Sequence, residues 1–455
     1  MVSRHLRLGC ALAILLLLAA AAGVMHGLAV ERAHSGAAPQ LGPVNAAIVA
    51  VLCAILVLLA CRHLVMLALS AYDHWQRGRP AAPPAPGREA PPPFVSIIVP
   101  AFNEAPMIRN VLESLLAIEY SRFEVIVVDD GSSDQTFLRA LPYQRRRPDV
   151  EFRVVAKANG GKFDALNHGI AMARGEIVLC IDGDGLVQPD ALRHCVGHFD
   201  DPVVGAVAGN VRVANRGTVW SAMQALEYVS GYGLAKRAQS CGGVVTIVPG
   251  PLGAFRKSAL AEVNGYDGDT FAEDFDLTLK LLSMGWHVVY EPRAVVLTEA
   301  PERTLELMRQ RYRWTRGSLQ VLLKRRRRLF RPAAAQLRCA GLWYLMFENL
   351  GLPALHVTAQ VLFVCGGLAF GVHELIVFWW LQLVVLESAV LAFCVAVEDE
   401  SPWLIAVSPL FRVFYLTVLD VARLLAAGEE FASVGMSWDK IARLGRISPA
   451  HGRTP

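Results

Sequence analysis

In CIDGDG, residues 180–185, two aspartates stand two positions apart at the end of an apolar, β-rich run. Residues i and i+2 of an extended chain point the same way. Asp182 and Asp184 can therefore offer both carboxylates to one side, with Gly183 leaving room between them. Hard cations such as Mg2+ or Mn2+ take one or two carboxylates and complete their shell with substrate phosphate oxygens. A second acidic group, FAEDFD over residues 271–276, opens a predicted helix with Glu273, Asp274 and Asp276. Acids suit a first helical turn for dipole reasons alone. A catalytic one among them must be a general base beside an acceptor hydroxyl.

Three further stretches offer binding groups. PAFNE (Pro100–Glu104) and VDDGSSD (Val128–Asp134) each follow a β-rich run, where Asp129 and Asp130 can accept hydrogen bonds from ligand N–H or hydroxyl groups. DDGS is also an ordinary turn and helix-capping sequence. KANGGKFDALNHG, residues 157–169, puts Lys157, Lys162 and two adjacent glycines at a helix start, a place suited either to an anion or to plain solvation. In RQRYRWTRG, residues 309–317, helical spacing puts Gln310, Arg313 and Trp314 on one face. A guanidinium can hold a pyrophosphate bidentately, and an indole offers a flat apolar platform. Arg309, Arg311 and Arg316 are expected to point elsewhere, into solvent or lipid headgroups. Lys324–Arg328 reads as a membrane-facing charge run.

These residues need elements to position them. Val95–Pro100, Glu124–Val128, Phe152–Val155 and Ile177–Ile181 are short β-rich runs, and Met107–Ile118, Gln135–Ala140 and Lys162–Ala173 between them read as helices. Alternating strands and helices predict an α/β domain with a mostly parallel sheet, whose ligands bind beyond the carboxyl ends of the strands. Around that domain the chain is apolar. Of its residues 54% are hydrophobic and 18% charged, which argues against a purely soluble protein.

Residues 9–30 and 44–61 carry no formal charge and are long enough to span a bilayer, giving two N-terminal helices within residues 1–76. The first could instead be a secretory signal. A proline-rich linker follows over residues 77–93, then the α/β domain over 94–325, and interfacial and transmembrane helices over 326–427. A basic tail occupies 428–455. Three complete spans after residue 330 would put that tail outside, whereas its WDKIARLGR reads as cytosolic. The net charge of +4 is too small to imply a nucleic-acid partner, and the nine cysteines include no C-x-x-C pair that would suggest zinc.

In order, PAFNE, DDGSSD, the lysine–glycine segment, Asp182-Gly-Asp184, Glu273-Asp274 and Gln310-Arg-Tyr-Arg313-Trp314 resemble the processive, membrane-embedded family 2 glycosyltransferases. These are the synthases of cellulose, chitin, hyaluronan and poly-β-1,6-N-acetylglucosamine, and the resemblance covers residues 94 to about 320. It implies a cytosolic domain of the GT-A fold in a bacterial plasma-membrane protein. By the family's roles, Pro100, Ala101, Asn103, Glu104, Asp129 and Asp130 bind the nucleotide, with Lys157 and Lys162 nearby. Asp182 and Asp184 hold Mg2+ or Mn2+ on the diphosphate. Asp274, beside Glu273, deprotonates the acceptor so that configuration inverts. Gln310, Arg313 and Trp314 hold the leaving diphosphate and the chain end, with Gly250 and Pro251 of Pro249–Leu260 beside the acceptor. The family often has Thr before the Glu-Asp pair, where this chain has Ala272.

The resemblance is closest to the poly-N-acetylglucosamine and chitin-oligosaccharide synthases, so the implied donor is UDP-N-acetylglucosamine. The implied partners are a growing glycan, membrane lipid and an accessory export or regulatory subunit. No long cyclic-di-GMP-binding domain is expected after residue 428. A single transfer onto a lipid carrier, a nucleotidyltransferase of similar topology, and a nucleotide-binding transport or scaffold subunit are the alternative readings.

Overall fold

The structure, a computed structural model, describes residues 43–77, 91–145, 150–326, 343–370, 373–434 and 447. The expected first span at residues 9–30 and most of the proline-rich linker lie outside them. The chain divides into two units: Met1–Gly78, Ala222–Ala238 and Leu345–Ala432 in one, and Arg79–Ser221, Gln239–Tyr344 and Ser433–Pro455 in the other.

In the first unit the helix expected at 44–61 runs on to Arg77, as Pro43–Arg77. Arg62 and His63 do not end it because both have partners: Arg62 Nη2 donates to Glu348 (2.7 Å), and His63 Nδ1 meets the Leu59 carbonyl (2.7 Å). Among the described residues, Ala50–Arg77 is the one helix long and apolar enough to cross a membrane. Its Leu52, Ile55, Leu56 and Leu59 pack with Ala359, Leu383 and Leu386 from helices Leu352–Phe370 and His373–Val397. Over residues 403–427, which the sequence lets be read as a span or as an interfacial helix, a 3-10 turn at Pro402–Val407 and a π-helical turn at Phe411–Tyr415 precede the helix Leu416–Phe431. Arg237 joins this unit by ion pairs to Glu398 (2.7 Å) and Asp73 (3.1 Å).

The second unit is built on an eight-stranded sheet. Its strands are β1 (Val95–Ala101), β2 (Phe123–Asp129), β3 (Glu151–Ala156), β4 (Ile177–Cys180), β5 (Leu186–Val187), β6 (Val204–Val213), β7 (Gly253–Arg256) and β8 (His287–Thr298), in the order β3-β2-β1-β4-β7-β6-β8-β5. β3, β2, β1 and β4 are mutually parallel, while β7 runs antiparallel to both β4 and β6. β1 and β2 are buried along their whole length, which is why they read as unbroken apolar runs. From β1 the chain steps outward to β2 and β3, then returns to place β4 on the other side of β1. That reversal opens a crevice at the carboxyl ends of β1 and β4, where PAFNE and DGDG emerge.

The opposite end of the strands is laced by Glu124, which has no exposed surface. It accepts from Ser96 Oγ (2.6 Å), the Arg174 N–H (2.9 Å), Arg174 Nε (3.0 Å) and Arg153 Nη2 (2.6 Å). One tail residue belongs to this unit too. Ile447 is buried, its N–H donating to Glu299 (3.2 Å) and its carbonyl accepting from Asn110 Nδ2 (2.8 Å), so the basic tail is anchored at that point.

Burial alone would raise the Glu124 pKa, but the bonds from Ser96 and Arg174 and the Arg153 charge outweigh it and hold the carboxyl below its ordinary value. Its contribution is therefore present above the unfolded carboxylate range and is lost as pH falls through the depressed folded value. Glu124→Ala should cost about 2 kcal/mol in thermal unfolding near neutral pH. That is less than the 3–5 kcal/mol of an enclosed pair, because Arg174 can turn to water. The difference from the parent protein should shrink on acidification.

Candidate active site

The first two loops form one piece. Asn103 sits at φ 51°, a left-handed conformation that Asn tolerates. From there its N–H donates to Ser132 Oγ (2.9 Å) while its side-chain oxygen accepts from the Ser133 N–H (2.9 Å). The Glu104 N–H donates to Thr136 Oγ1 (2.7 Å) and the Ala105 N–H to Asp134 (3.1 Å). Pro100 and Ala101 are buried at the end of β1, and the Ala101 carbonyl accepts from the Asp130 N–H (2.8 Å).

The paired aspartates of this loop divide their work. Both oxygens of Asp130 are taken within the protein, by Lys157 Nζ (2.7 Å) and the N–H groups of Gly160 (3.0 Å) and Gly161 (2.8 Å). Asp130 thus shapes the lysine–glycine loop. Lys157 is shared between it and Asp164 (2.5 Å); burial pulls the Lys157 pKa down, but those two partners raise it on balance. Asp129 is as deeply buried, and its Oδ2 accepts from the Ser132 N–H (3.2 Å). Its Oδ1 has no hydrogen-bond partner. A buried carboxylate oxygen without a donor is costly, and it suits a ligand that brings an N–H or O–H.

The second cluster gathers residues from three distant segments. Lys162, at the start of the Lys162–Met172 helix, reaches Asp182 Oδ1 (2.7 Å) after β4 and Glu273 Oε1 (3.2 Å) at the start of the Glu273–Met284 helix. A Cβ at Gly250 would fall 2.7 Å from Lys162 Nζ and within 3.2 Å of both Asp182 oxygens, so the Pro249–Pro251 turn lies directly against this pair and a side chain there would press on it. Burial raises the Asp182 pKa; Lys162 opposes the rise and the charge of buried Asp184 adds to it. Burial, then the Glu273 charge, lift Asp274 to about 6, with Lys162 and the Phe275 N–H (2.8 Å) acting against them. A carboxyl titrating there can take a proton at neutral pH.

Asp182, Glu273 and Asp274 thus bring three carboxylates to one ammonium, with Asp184 close enough to act on Asp182, an excess of negative charge that fits a divalent cation and the diphosphate it would bind. Asp267, Asp269 and Asp276 also bring oxygens within 4.8 Å of one another. There, however, Lys280 (2.7 Å to Asp267), Lys324 (2.9, 2.6 and 2.9 Å to Asp267, Asp269 and Asp276) and Arg325, on Asp276, already balance the charge. We read that group as an ion-pair clamp.

The clamp corrects one expectation. Lys324 and Arg325 pair with Asp276, two residues after Asp274, so these two members of the charge run have partners within the fold; Arg326 is exposed, and Arg327 and Arg328 lie outside the described residues. A second correction concerns the Thr304–Lys324 helix. Arg309 is exposed as expected, but Arg311 and Arg316 are buried. Arg311 stacks on the Trp314 ring (4.2 Å to the centroid) and donates to Gln310 Oε1 (2.8 Å); Arg316 donates to Tyr312 Oη (2.9 Å) and the Val434 carbonyl (2.6 Å). Both have partners inside the fold, Trp314 and Tyr312 lying one helical turn away from Arg311 and Arg316 and Val434 far along the chain. Gln310 is buried, Arg313 half-buried and Trp314 40% exposed. Gly317 presses against the segment before Glu273, since a Cβ there would lie 2.8 Å from the Phe271 carbonyl carbon and 2.9 Å from Ala272 N. The Phe271 N–H adds a bond to Gln320 Oε1 (3.2 Å).

Residues 91–317 match the family described as "Glycosyltransferase like family 2". The chain is 35% identical over 257 residues to a poly-beta-1,6-N-acetyl-D-glucosamine synthase of Staphylococcus epidermidis, covering 56% of this chain and 61% of that protein. It is 36% identical over 231 residues to one from Staphylococcus aureus, covering 50% and 56%. The chain thus spans about three-fifths of the length of these relatives. In fold it is similar to a mannosyltransferase from Pyrobaculum calidifontis solved with GDP-Man and Mn2+, with a TM-score of 0.59 at 23% identity, covering 84% of this chain and all of the other. That likeness gives the α/β unit a GT-A-like fold.

Two outcomes test this geometry. If Asp274 must be ionised to act, the rate should fall tenfold per pH unit below about 6 and level off above it. Lys162→Met removes the ammonium that opposes the rise, so the inflection of the residual activity should move to higher pH in a pH–rate profile. Gly317→Ala should displace the backbone before Glu273 and lower kcat about tenfold or more, with thermal unfolding changed by roughly 1–3 kcal/mol.

Proposed function

We propose, from the premise that this chain is a family 2 glycosyltransferase through residues 91–317, that it elongates a β-linked glycan from UDP-N-acetylglucosamine with inversion at the anomeric carbon. The observation that carries the reading is the Asp274 carboxyl, raised to about 6 at a helix start beside the Lys162, Asp182 and Glu273 cluster. A general base of that pKa works best near neutral pH. Asp274 accepts the proton of an acceptor hydroxyl as its oxygen bonds to the anomeric carbon. The bond from that carbon to the diphosphate oxygen breaks, and the nucleoside diphosphate leaves with the electron pair.

The remaining residues bind and orient. Asp129 Oδ1, the buried oxygen without a partner, accepts from the base or ribose, and the PAFNE backbone walls that side. Asp130 and Lys157 hold the loop that carries Lys162 toward the diphosphate. Gln310, Arg313 and Trp314, with the Gly250–Pro251 turn, receive the leaving group and the chain end. Mg2+ or Mn2+, held by Asp182 and Asp184, supplies neutralisation of the charge that develops on the diphosphate. The donor and the polymer rest on the names of the relatives, together with the apolar helix Ala50–Arg77, which suits a synthase working at a membrane.

Membranes bearing the full chain should be incubated with a panel of radiolabelled nucleotide sugars and Mg2+ or Mn2+, and the products sized and their linkages determined. UDP-N-acetylglucosamine should be consumed and the label should appear in a polymer; a single-sugar product would remove polymerisation from the reading. Asp274→Asn should keep nucleotide affinity within about threefold and lower transfer by at least 10²-fold, the lower bound for loss of a general base. Undiminished polymer synthesis by that variant would falsify the assignment of the base.

A further inference from the structure

The buried arginine between Gln310 and Trp314 has a role that its neighbours define. Arg311 is 2% exposed, its guanidinium carbon lies 4.2 Å from the centroid of the Trp314 ring, and its Nη1 donates to Gln310 Oε1 at 2.8 Å. We propose that Arg311 is a positioning residue that fixes one face of Trp314 and the orientation of the Gln310 amide for the saccharide acceptor and leaving diphosphate. This rests on the function proposed above.

A planar guanidinium can stack on an indole and donate in its own plane at the same time, which a lysine ammonium cannot do. With Arg311 against one face, Trp314 is still 40% exposed, leaving it surface on which a sugar ring can stack. Gln310 has one acceptor oxygen and one donor NH2. Once Arg311 engages the oxygen, the amide turns its N–H donors to whatever lies beyond, the polarity that an anionic diphosphate needs. One side chain thereby sets both the apolar platform and the donor direction.

The test uses the full chain in membranes, with UDP-N-acetylglucosamine as donor and a short β-linked N-acetylglucosamine oligosaccharide as acceptor. Arg311→Met should lower kcat/KM for the oligosaccharide ten- to hundredfold and weaken UDP binding by a smaller factor, about three- to tenfold, through the released Gln310 amide. Arg311→Lys, which keeps the charge, should not restore it. Arg311→Met combined with Trp314→Ala should lose clearly less than the product of the two single losses, the non-additivity expected of residues acting as a unit, the remaining loss being the share carried by Gln310. Tryptophan emission should change in Arg311→Met, and that change should vanish in a Trp314→Phe background. Additive losses, full rescue by lysine, or an emission change that persists without Trp314 would overturn the proposal. A parent protein that transfers sugar from no donor would instead sink the proposed function, and the emission comparison would still decide whether Arg311 fixes Trp314.

Discussion

An excess of negative charge at the carboxyl ends of β1 and β4 is the constraint on which the site depends. Asp182 comes from a segment about ninety residues before Glu273 and Asp274, and Lys162 is the cation that joins them. Such crowding is unfavourable in a protein by itself. It becomes useful when a ligand brings positive charge, as a divalent cation does, or when one carboxyl must hold a proton at neutral pH. The same crowding therefore accounts for a cation-binding character and adds, after burial, to the lift of the Asp274 carboxyl to about 6. Neither effect needs a group beyond those already drawn together by the sheet.

Holding that charge in place falls to interactions a turn or more away. Asp276 follows Asp274 by two residues but points to the other side of the helix, where Lys324 and Arg325 close on it. Asp267 and Asp269, from the loop before, are caught by the same lysine. The clamp is balanced, three acids against three bases, whereas the catalytic cluster is not. This difference in balance is why we assign structure to one acidic group and chemistry to the other. The Thr304–Lys324 helix supplies the clamp at its end and carries Gln310–Trp314 nearer its start, so it registers the proposed base against the residues proposed to receive the leaving group.

Much of this was legible in the sequence wherever local pattern determines placement. The four parallel strands were readable because β1 and β2 are buried on both faces and so are continuously apolar, and the loops after them contain the chemistry because the strand order reverses at β1. What escaped was whatever depends on a partner far along the chain. Arg316 looks solvated until the Val434 carbonyl is found against it, and Lys324 shows no partner until Asp276 is found beside it; the stacking of Arg311 on Trp314, a turn apart, was by contrast open to a reading from helical spacing. Ile447 carried no signal at all: a single aliphatic residue in a basic tail becomes structural only through Asn110 and Glu299. The divided roles of Asp129 and Asp130 were hidden for the same reason, since adjacent identical residues are told apart only by what each one faces.

The departure at Ala272 can be understood in these terms. Family members often carry threonine before the acidic pair, and a change next to a catalytic base would ordinarily suggest altered chemistry. In this chain the Ala272 methyl and backbone N–H lie against Gly317, each within 2.9 Å of where a Cβ on that glycine would stand. Two small residues let the helix and the loop approach closely, and the contact fixes the backbone from which Glu273 and Asp274 project. A β-branched side chain at 272 has less room toward that helix, and its packing freedom at χ1 is narrow. The alanine thus bears on how tightly the base is held, while the identity of the base stays with the carboxyl that burial and Glu273 have already tuned.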